Sequence, residues 1–421
     1  MTKKIGIIGG GQLGLMIAEE AHRQGAVVYA LDPAPDAPAF AEADHHIVAR
    51  YDDLEALERL GDATDVLTYE FENVPGDILR HLEGKYDIRQ GIAPLFDSQD
   101  RLREKNNAAR HGLPVPQYIP LPACSADEDC AEVPVEMTDA ERLEELRAAV
   151  STIGMPCVLK TRRLGYDGHG QAVIRTEKDI EPASALLHVP CILEAFVPFD
   201  YECSLILVRD GHDTIHFPIG RNIHKDGILD LCIVPAPGIY EGTAPDGSIA
   251  DENLTPPGRE IISACTAFMD SCGYRGILAI ELFIKGNTFV FNEMAPRPHN
   301  SGHYTIEGCT TSQYAELCHF LLDKPLVTPR LKAPTVMKNI LGQDLDEAWK
   351  IVKEAQGSIT NIAKRDNAWS GAAGEGIYAH IYGKTESRPK RKMAHLTYIP
   401  MTAEEFDSRW SGRFYPNNRN I

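Results

Sequence analysis

Several common features are missing from this sequence, and each absence narrows the kind of protein it encodes. No apolar run approaches the roughly 20 residues of a transmembrane helix, and the N-terminus has no signal-peptide pattern. The ten cysteines include no C-x-x-C pair, since the closest two, Cys124 and Cys130, lie six positions apart. These absences predict a cytoplasmic protein with reduced thiols that acts away from membranes.

Basic charge is also scarce. The chain has 42 Lys and Arg residues against 61 Asp and Glu residues, a net charge of −19, which argues against a nucleic-acid partner. An anionic substrate must therefore be bound by local basic clusters, and there are two, at residues 160–163 and 384–392. With 421 residues, 43% hydrophobic and 24% charged, the chain is typical of a globular protein of two or three domains.

The N-terminus reads as a βαβ unit. A strand at residues 5–8 is followed by the G-x-G-x-x-G spacing at residues 9–14, a helical pattern and a second strand that ends at Asp32. This pattern is typical of dinucleotide binding, but a glycine-rich turn can also cradle another phosphate or let helix and strand pack closely. Continued alternation of strands and helices predicts a doubly wound, Rossmann-like domain over residues 1–97.

The middle of the chain carries a different phosphate-binding pattern. Lys160 ends a strand, a loop with three glycines follows, and a second strand begins near Gln171. A Walker loop joins a strand to a helix and places its lysine after the glycines, whereas this loop joins two strands and its lysine comes first. The layout therefore favours a β-hairpin whose tip covers nucleotide phosphates, with an ordinary flexible hairpin as the alternative. Farther on, the apolar strand around Glu194 could form a binding slot for a purine base, and Glu202 could reach ribose hydroxyls. Alternatively, Glu194 and Glu202 are ordinary half-exposed strand residues.

Residues 276–284 and 288–293 predict a β-hairpin closed by residues 285–287. In that register Ile284 pairs with Thr288, and Glu281 lies opposite Phe291, diagonal to Glu293. The two carboxylates then share one face and, with Asn292, could hold Mg²⁺; an acidic hairpin face is the alternative. Residues 292–303, NEMAPRPHNSGH, continue into a loop dense in polar side chains, which indicates a functional site.

Seven motifs together resemble those of the N5-carboxyaminoimidazole ribonucleotide synthetase family of ATP-grasp ligases. They are GGGQLG, TYEFENVP, SQDRLREK, VLKTRRLGYDGHGQ, NIHKDGIL, NEMAPRPHNSGH and YGKTESRPKRKMAH, starting at residues 9, 68, 98, 158, 222, 292 and 382. The resemblance implies a mixed α/β and α+β fold. An ATP-grasp region at residues 98–330, with a lid subdomain at about 121–197, would follow the Rossmann-like domain, and a small β-rich domain at 331–421 would end the chain.

The resemblance also implies residue roles. Glu281 and Glu293 would bind Mg²⁺, and the sugar phosphate would lie among Gln12, Arg297, Lys384, Arg391 and Lys392. The catalytic, bicarbonate-binding group would be Tyr166, His224, Glu72, Arg297, His299 and His303. ATP would be held by Arg101, Lys160, Gly165, Tyr166, Asp167, Gly168, His169, Gly170, Gln171, Glu194, Ala195, Phe196, Val197, Glu202, His224, Asn292 and Glu293.

The implied activity is ATP- and bicarbonate-dependent carboxylation of the exocyclic amine of 5-aminoimidazole ribonucleotide through carboxyphosphate. A homodimer and a separate downstream mutase are implied as well. The nearest competing function is that of a related ATP-grasp ligase, such as a formate-dependent transformylase. Two candidates come from different functional classes: an NAD-dependent dehydrogenase, supported only by residues 9–14 and Asp32, and a non-catalytic nucleotide-binding regulator.

Overall fold

A computed structural model describes residues 2–122, 137–165, 170–244, 246–355, 368–374 and 376–415. The predicted acidic insertion at residues 123–136 lies outside the described residues, as do Tyr166, Asp167, Gly168 and His169. Among the described residues, no helix is both long and apolar enough to cross a membrane.

The N-terminal region is the predicted doubly wound unit. Its parallel sheet has the strand order β3-β2-β1-β4, and helices cover both faces, because alternate residues of β1 point to opposite sides: Ile5 and Ile7 pack with α1, and Ile8 packs with α2 and α3. The elements are β1 (Lys4–Ile8), α1 (Gln12–Arg23), β2 (Val27–Asp32), β3 (His45–Val48), α2 (Leu54–Ala63), β4 (Val66–Tyr69), α3 (Gly76–Glu83) and α4 (Ala93–Ser98).

The glycine-rich turn after β1 is occupied by the domain's own carboxylates. The backbone N–H of Gly10 donates to Asp32 (2.7 Å), and that of Gly11 donates to Glu70 (2.7 Å). Asp32 also accepts from the backbone N–H of Ala34 and from the hydroxyl of Tyr51. Asp32 therefore stabilises the turn from inside the protein, which weakens the dinucleotide-binding interpretation of this motif.

A helix and a small antiparallel sheet follow. Helix α5 (Arg101–Arg110) is capped at its N-terminus by Asp100, whose side chain accepts from the backbone N–H of Leu102 (3.0 Å). The sheet has the order β5-β8-β6-β7 and one helix-covered face. Its elements are β5 (Tyr118–Leu121), α6 (Asp139–Ile153), β6 (Cys157–Thr161), β7 (Gln171–Ile174), α7 (Ile180–Ser184) and β8 (Cys191–Ala195).

The central sheet has the order β14-β13-β9-β11-β12, continued by the C-terminal strands β15 (Thr335–Leu341), β18 (Lys392–Tyr398), β17 (Ile377–Tyr382) and β16 (Ala368–Gly374), and β10 also pairs with β9. Its first part contains β9 (Tyr201–Arg209), β10 (Thr214–His216), β11 (Gly220–Lys225), β12 (Ile228–Val234), α8 (Pro256–Ser271), β13 (Gly276–Lys285), β14 (Thr288–Ala295), α9 (Thr305–Gly308) and α10 (Gln313–Leu321). Strands β9 and β13 are largely buried because helix α8 packs on one face and helix α10, which also contacts α1 of the N-terminal region, packs on the other.

The C-terminal region extends this same sheet, because β15 pairs with β12. Its elements are β15 (Thr335–Leu341), α11 (Leu345–Ala355), β16 (Ala368–Gly374), β17 (Ile377–Tyr382), β18 (Lys392–Tyr398), α12 (Ala403–Phe406) and α13 (Gly412–Phe414). The continuous sheet brings the basic loop between β17 and β18 beside the N-terminal region, where Lys384 donates to Gln12 (2.9 Å).

Candidate active site

The hairpin of β13 and β14 brings Glu281 and Glu293 directly opposite each other. The predicted register was wrong: Lys285 pairs with Thr288, so the turn is the two-residue Gly286–Asn287, with Gly286 at a φ of +55°. That register alone would place Glu281 opposite Asn292, but an irregularity beside Glu281 shifts the pairing by one residue. The carboxylates are therefore direct cross-strand neighbours rather than diagonal ones.

The two carboxylates are held in different charge states. Burial and the charge of Glu293 raise the pKa of Glu281 to about 8. Burial opposes ionisation of Glu293 too, but Arg101, which donates to it at 2.9 Å, lowers the pKa of Glu293 to about 2. The pair thus retains one proton near neutral pH, and a cation bound between the carboxylates would displace it.

Glu202 and His224 adjoin Glu281 on the same face of the sheet. The three residues offer ligand atoms within 4.8 Å of one another, and Nδ1 of His224 lies 2.7 Å from Oε2 of Glu202. Burial would lower the pKa of His224, but Glu202, Glu281 and Glu293 outweigh it and raise the pKa to about 9. His224 is therefore an additional cation at neutral pH.

Helix α5 supplies a row of charged side chains to β14. Besides Arg101, Glu104 accepts from the backbone N–H of Met294 (2.6 Å), and Lys105 donates to the backbone carbonyl of Asn292. Glu104 and Lys105 are 2% and 1% exposed. Neither was predicted as a site residue, although their i+3 and i+4 spacing from Arg101 places all three on one helix face.

The small sheet contributes Lys160 and Glu194, which form a buried ion pair of 2.9 Å. Strand pairing places Val158 opposite Glu194, so Lys160 is the diagonal neighbour of Glu194 on the same face of the sheet. Lys105 lies 3.8 Å from the same carboxylate, and the two cations outweigh burial, so the pKa of Glu194 is lowered. Glu194 is therefore engaged by two lysines, while apolar Val158, Val173 and Phe196 line the adjoining slot.

A second buried ion pair joins the small sheet to α5. Arg162, just past β6, donates to Asp100 through Nε (3.0 Å) and Nη2 (2.7 Å), and the backbone N–H of Arg101 donates to the carbonyl of Arg162 (2.9 Å). Asp100 is 0% exposed and Arg162 is 3% exposed. This bidentate pair fixes the start of α5, and hence Arg101, relative to Lys160.

A third group of residues lies where the N-terminal region, β14 and the C-terminal loop meet. Arg297 donates to Glu72 through Nε (3.0 Å), and Nη2 lies 2.9 Å from the same oxygen. Lys384 donates to Gln12, and burial and Arg391 lower the pKa of Lys384 to about 8. Burial and Arg297 lower the pKa of His299 to about 3, so its ring is neutral.

One cavity of about 360 Å³ joins these groups. The predicted site residues that line it are Glu72, Arg101, Lys160, Gly165, Gln171, Glu194, Ala195, Phe196, Val197, Glu202, His224, Glu281, Asn292, Glu293, Arg297, His299 and Lys392. Its lining also includes Asn73, Gln99, Glu104, Arg162 and Asn300, which were not predicted individually.

Of the predicted residues that the structure describes, five lie away from the cavity wall: Gln12, Gly170, His303, Lys384 and Arg391. His303 is fully buried, with an exposure of 0%, which corrects its prediction as a catalytic residue in contact with substrate. Gly170 has a φ of +73°, and a Cβ there would lie 2.5 Å from Oγ1 of Thr161, so its backbone conformation requires glycine. Arg391 donates to the carbonyl of Glu386 (2.7 Å) within the basic loop.

Comparison with known proteins gives matches over nearly the whole chain. Three family models match: the ribonucleotide synthetase preATP-grasp domain over residues 1–94, the ATP-grasp domain over 125–314, and the phosphoribosylaminoimidazole carboxylase C-terminal domain over 335–409. The chain is 36% identical over 424 residues to the N5-carboxyaminoimidazole ribonucleotide synthase of Bacillus subtilis (strain 168), covering 97% of this chain and 96% of that protein. It is 33% identical over 416 residues to the corresponding Staphylococcus haemolyticus (strain JCSC1435) protein, with the same coverage.

Solved structures also match this chain over nearly its whole length. An N5-carboxyaminoimidazole ribonucleotide synthetase in complex with ADP superposes with a TM-score of 0.83 at 34% identity, covering 99% of this chain and 98% of that one. The Aspergillus clavatus synthase in complex with ADP and 5-aminoimidazole ribonucleotide has a TM-score of 0.77 at 25% identity, covering 99% and 97%.

The Asp100–Arg162 pair predicts a specific pattern of stabilities. Arg162→Met should lower the free energy of unfolding by about 3–5 kcal/mol, because it leaves the buried charge of Asp100 without its bidentate partner. Adding Asp100→Asn should recover part of that loss, since Asn keeps an acceptor for the backbone N–H of Leu102. Denaturant titration measures both. Arg50→Met, which breaks an exposed pair with Asp52, should leave the midpoint unchanged. A double variant less stable than Arg162→Met would contradict this assignment.

The charge state of Glu281 predicts a pH-dependent stability difference. The raised pKa of about 8, against an ordinary value of 4.5, means that the folded protein keeps a proton that the unfolded chain releases, so the wild type loses stability as pH rises through this window. Glu281→Gln does not titrate, so its Tm relative to the wild type should increase between about pH 5 and about pH 9 in chelator-treated buffer. Glu260→Gln, on the exposed face of α8, should keep a constant offset. A Glu281→Gln offset that is flat or falls with pH would refute the assignment.

Proposed function

Because the chain belongs to the N5-carboxyaminoimidazole ribonucleotide synthase family of ATP-grasp ligases, we propose that it carboxylates the exocyclic amine of 5-aminoimidazole ribonucleotide with ATP and bicarbonate in purine biosynthesis. The observation that carries the proposal is that one cavity is lined both by Lys160 and Glu293 and by Arg297 and Lys392. A nucleotide and a second anionic substrate can therefore meet in one cavity.

The proposed chemistry requires that water be excluded from the reacting groups. Bicarbonate is a poor electrophile because its carbon bears negative oxygens and no good leaving group. In the proposed reaction a bicarbonate oxygen attacks the γ-phosphorus of ATP, ADP leaves, and carboxyphosphate forms. The substrate amine then attacks the carboxyl carbon, loses a proton, and expels phosphate. Because water would hydrolyse carboxyphosphate, the reaction must be shielded from solvent.

The donor set around Glu281 and Glu293 fits Mg²⁺. Two facing carboxylates, whose repulsion helps raise the pKa of Glu281, are oxygen ligands suited to a hard divalent cation. Glu281 and Glu293, with Asn292 beside them, would hold the ion. When bound, Mg²⁺ supplies Lewis-acid stabilisation of phosphate oxygens.

The remaining predicted site residues divide by the ligand that each is proposed to bind. On the nucleotide side, Arg101 and Lys160 offset phosphate charge, with the loop from Gly165 to Gln171 and residues 194–197 completing the proposed ATP site. Glu202 is proposed to bind ATP, and His224 is proposed to contact both ATP and bicarbonate. Glu72, Arg297 and His299 are proposed to face bicarbonate, with Tyr166. The cations Lys384, Arg391 and Lys392, together with Gln12, are proposed to bind the sugar phosphate.

We further propose that the protein acts as a homodimer in the cytoplasm. Its product carries the new carboxyl group on nitrogen, whereas carbon–carbon bond formation is needed to build the second purine ring. A separate mutase is therefore expected to consume the product.

Omission assays test the reaction. Phosphate release should require Mg–ATP, bicarbonate and 5-aminoimidazole ribonucleotide together, because each supplies atoms or charge stabilisation to the coupled reaction. Product formation is followed with labelled bicarbonate, and each component is left out in turn. Turnover with formate in place of bicarbonate would favour a transformylase, and reduction of NAD would overturn the proposal.

Glu293→Gln tests the metal site. We expect at least about a thousandfold loss of kcat, the order associated with removing a charged group that stabilises phosphoryl transfer, with an unchanged circular dichroism spectrum. Steady-state kinetics with saturating Mg–ATP measure the loss, and Glu260→Gln is the matched control with wild-type activity. Substantial activity in Glu293→Gln would remove this residue from the proposed Mg²⁺ site.

A further inference from the structure

Asn300 lies on the cavity wall, next to the proposed sugar-phosphate site, and has no part in the mechanism described above. The residue is 8% exposed. The carbonyl oxygen Oδ1 lies 3.1 Å from Nε2 of His303 and 3.5 Å from Nε2 of Gln12. Two nitrogen atoms from different regions of the chain therefore converge on one amide oxygen.

The direction of these hydrogen bonds follows from Lys384. An ammonium group only donates, so Gln12, 2.9 Å away, must present its oxygen to Lys384 and turn its NH₂ group toward Asn300. Asn300 must then present Oδ1, although the Gln12 contact is at the outer limit of hydrogen-bond length. Because Oδ1 only accepts, Nε2 of His303 must carry the proton.

The surroundings of His303 are consistent with a neutral ring fixed in that tautomer. Nδ1 lies 2.9 Å from the hydroxyl of Tyr314, which donates to it. The ring stacks on His395 at 4.4 Å, and His395 stacks on His380 at 4.5 Å. Burial, with the nearby His380, holds the pKa of His303 well below its usual range. A neutral, fully buried ring behind the wall orients its neighbour and does not contact substrate.

This orientation of the Asn300 amide leaves its NH₂ group available to the cavity. With Oδ1 of Asn300 facing His303 and Gln12, the NH₂ group is on the other side, and it forms no hydrogen bond within the described parts of the chain. We propose that His303 is a positioning residue that holds the NH₂ group of Asn300 toward the cavity, where it donates to an acceptor of the imidazole ribonucleotide. The identity of that substrate rests on the proposed function; the orientation of Asn300 does not.

Two substitutions at one position separate positioning from packing. The amide nitrogen of Gln can replace Nε2 of histidine as a donor to Asn300, whereas the shorter Asn reaches only the position of Nδ1, beside Tyr314. His303→Asn should raise the KM for 5-aminoimidazole ribonucleotide by about tenfold, as expected for one lost hydrogen bond in a buried site, and leave the KM for ATP unchanged. His303→Gln should restore a KM close to that of the wild type.

His395→Asn is the matched control, because it alters the stacked ring without touching the bond to Asn300. Its KM for the imidazole ribonucleotide should stay within about twofold of the wild type. Equal effects of His303→Asn and His395→Asn, or no rescue by His303→Gln, would assign His303 a packing role and overturn the proposal.

A spectroscopic measurement remains decisive if a variant fails to fold. ¹⁵N NMR of the wild-type enzyme without substrate should show the Nε2–H tautomer for His303, assigned by the signal missing from His303→Gln. An Nδ1–H tautomer would overturn the proposal whatever the enzyme catalyses. Conversely, a wild-type enzyme that shows the Nε2–H tautomer but does not turn over 5-aminoimidazole ribonucleotide would reject the proposed function and leave the orientation of Asn300 intact.

Discussion

Glu281 and Glu293 face each other across an irregular β-hairpin, and their mutual repulsion is the constraint that organises the site. Two ionised carboxylates this close are costly because Glu281 is buried, so Glu281 keeps a proton and Glu293 depends on Arg101. The compensating cations come from separate elements: Arg101 from α5, Lys160 from β6 and His224 from β11. Charge balance at the hairpin therefore requires these elements to be docked correctly.

Helix α5 connects the small sheet to the central sheet. Its N-terminus is fixed by the Asp100–Arg162 pair to the small sheet, and Glu104 and Lys105 bind the backbone of β14 in the central sheet. Because these bonds lie within two helical turns, a displacement of the small sheet would disturb Arg101 and the carboxylate it neutralises. The same short helix thus connects the proposed phosphate-binding and metal-binding sides of the cavity.

Sequence patterns predicted much of this site, and local physics explains what they missed. Alternation along β13 and β14 correctly brought Glu281 and Glu293 together, but the predicted turn was one residue too long, and the β-bulge has no clear sequence signal. The Gly286–Asn287 turn length could have been preferred from hairpin statistics. Glu104 and Lys105 were detectable from their helical spacing to Arg101, whereas the pairing of Asp100 with Arg162 depends on tertiary contacts that no local pattern reports.

Burial and internal hydrogen bonds determine which residues of a polar motif can contact a ligand. The glycine turn after β1 has the spacing of a phosphate cradle, yet Asp32 and Glu70 accept from its backbone N–H groups, and an anionic ligand would have to displace both carboxylates. Residues 292–303 divide likewise: Glu293 faces the cavity beside Glu281, Arg297 and His299 form its wall, and His303 lies behind that wall. A histidine in a polar loop suggests acid–base chemistry from sequence, but full burial against Tyr314 and His395 suppresses its protonation and leaves it a directional hydrogen-bond donor.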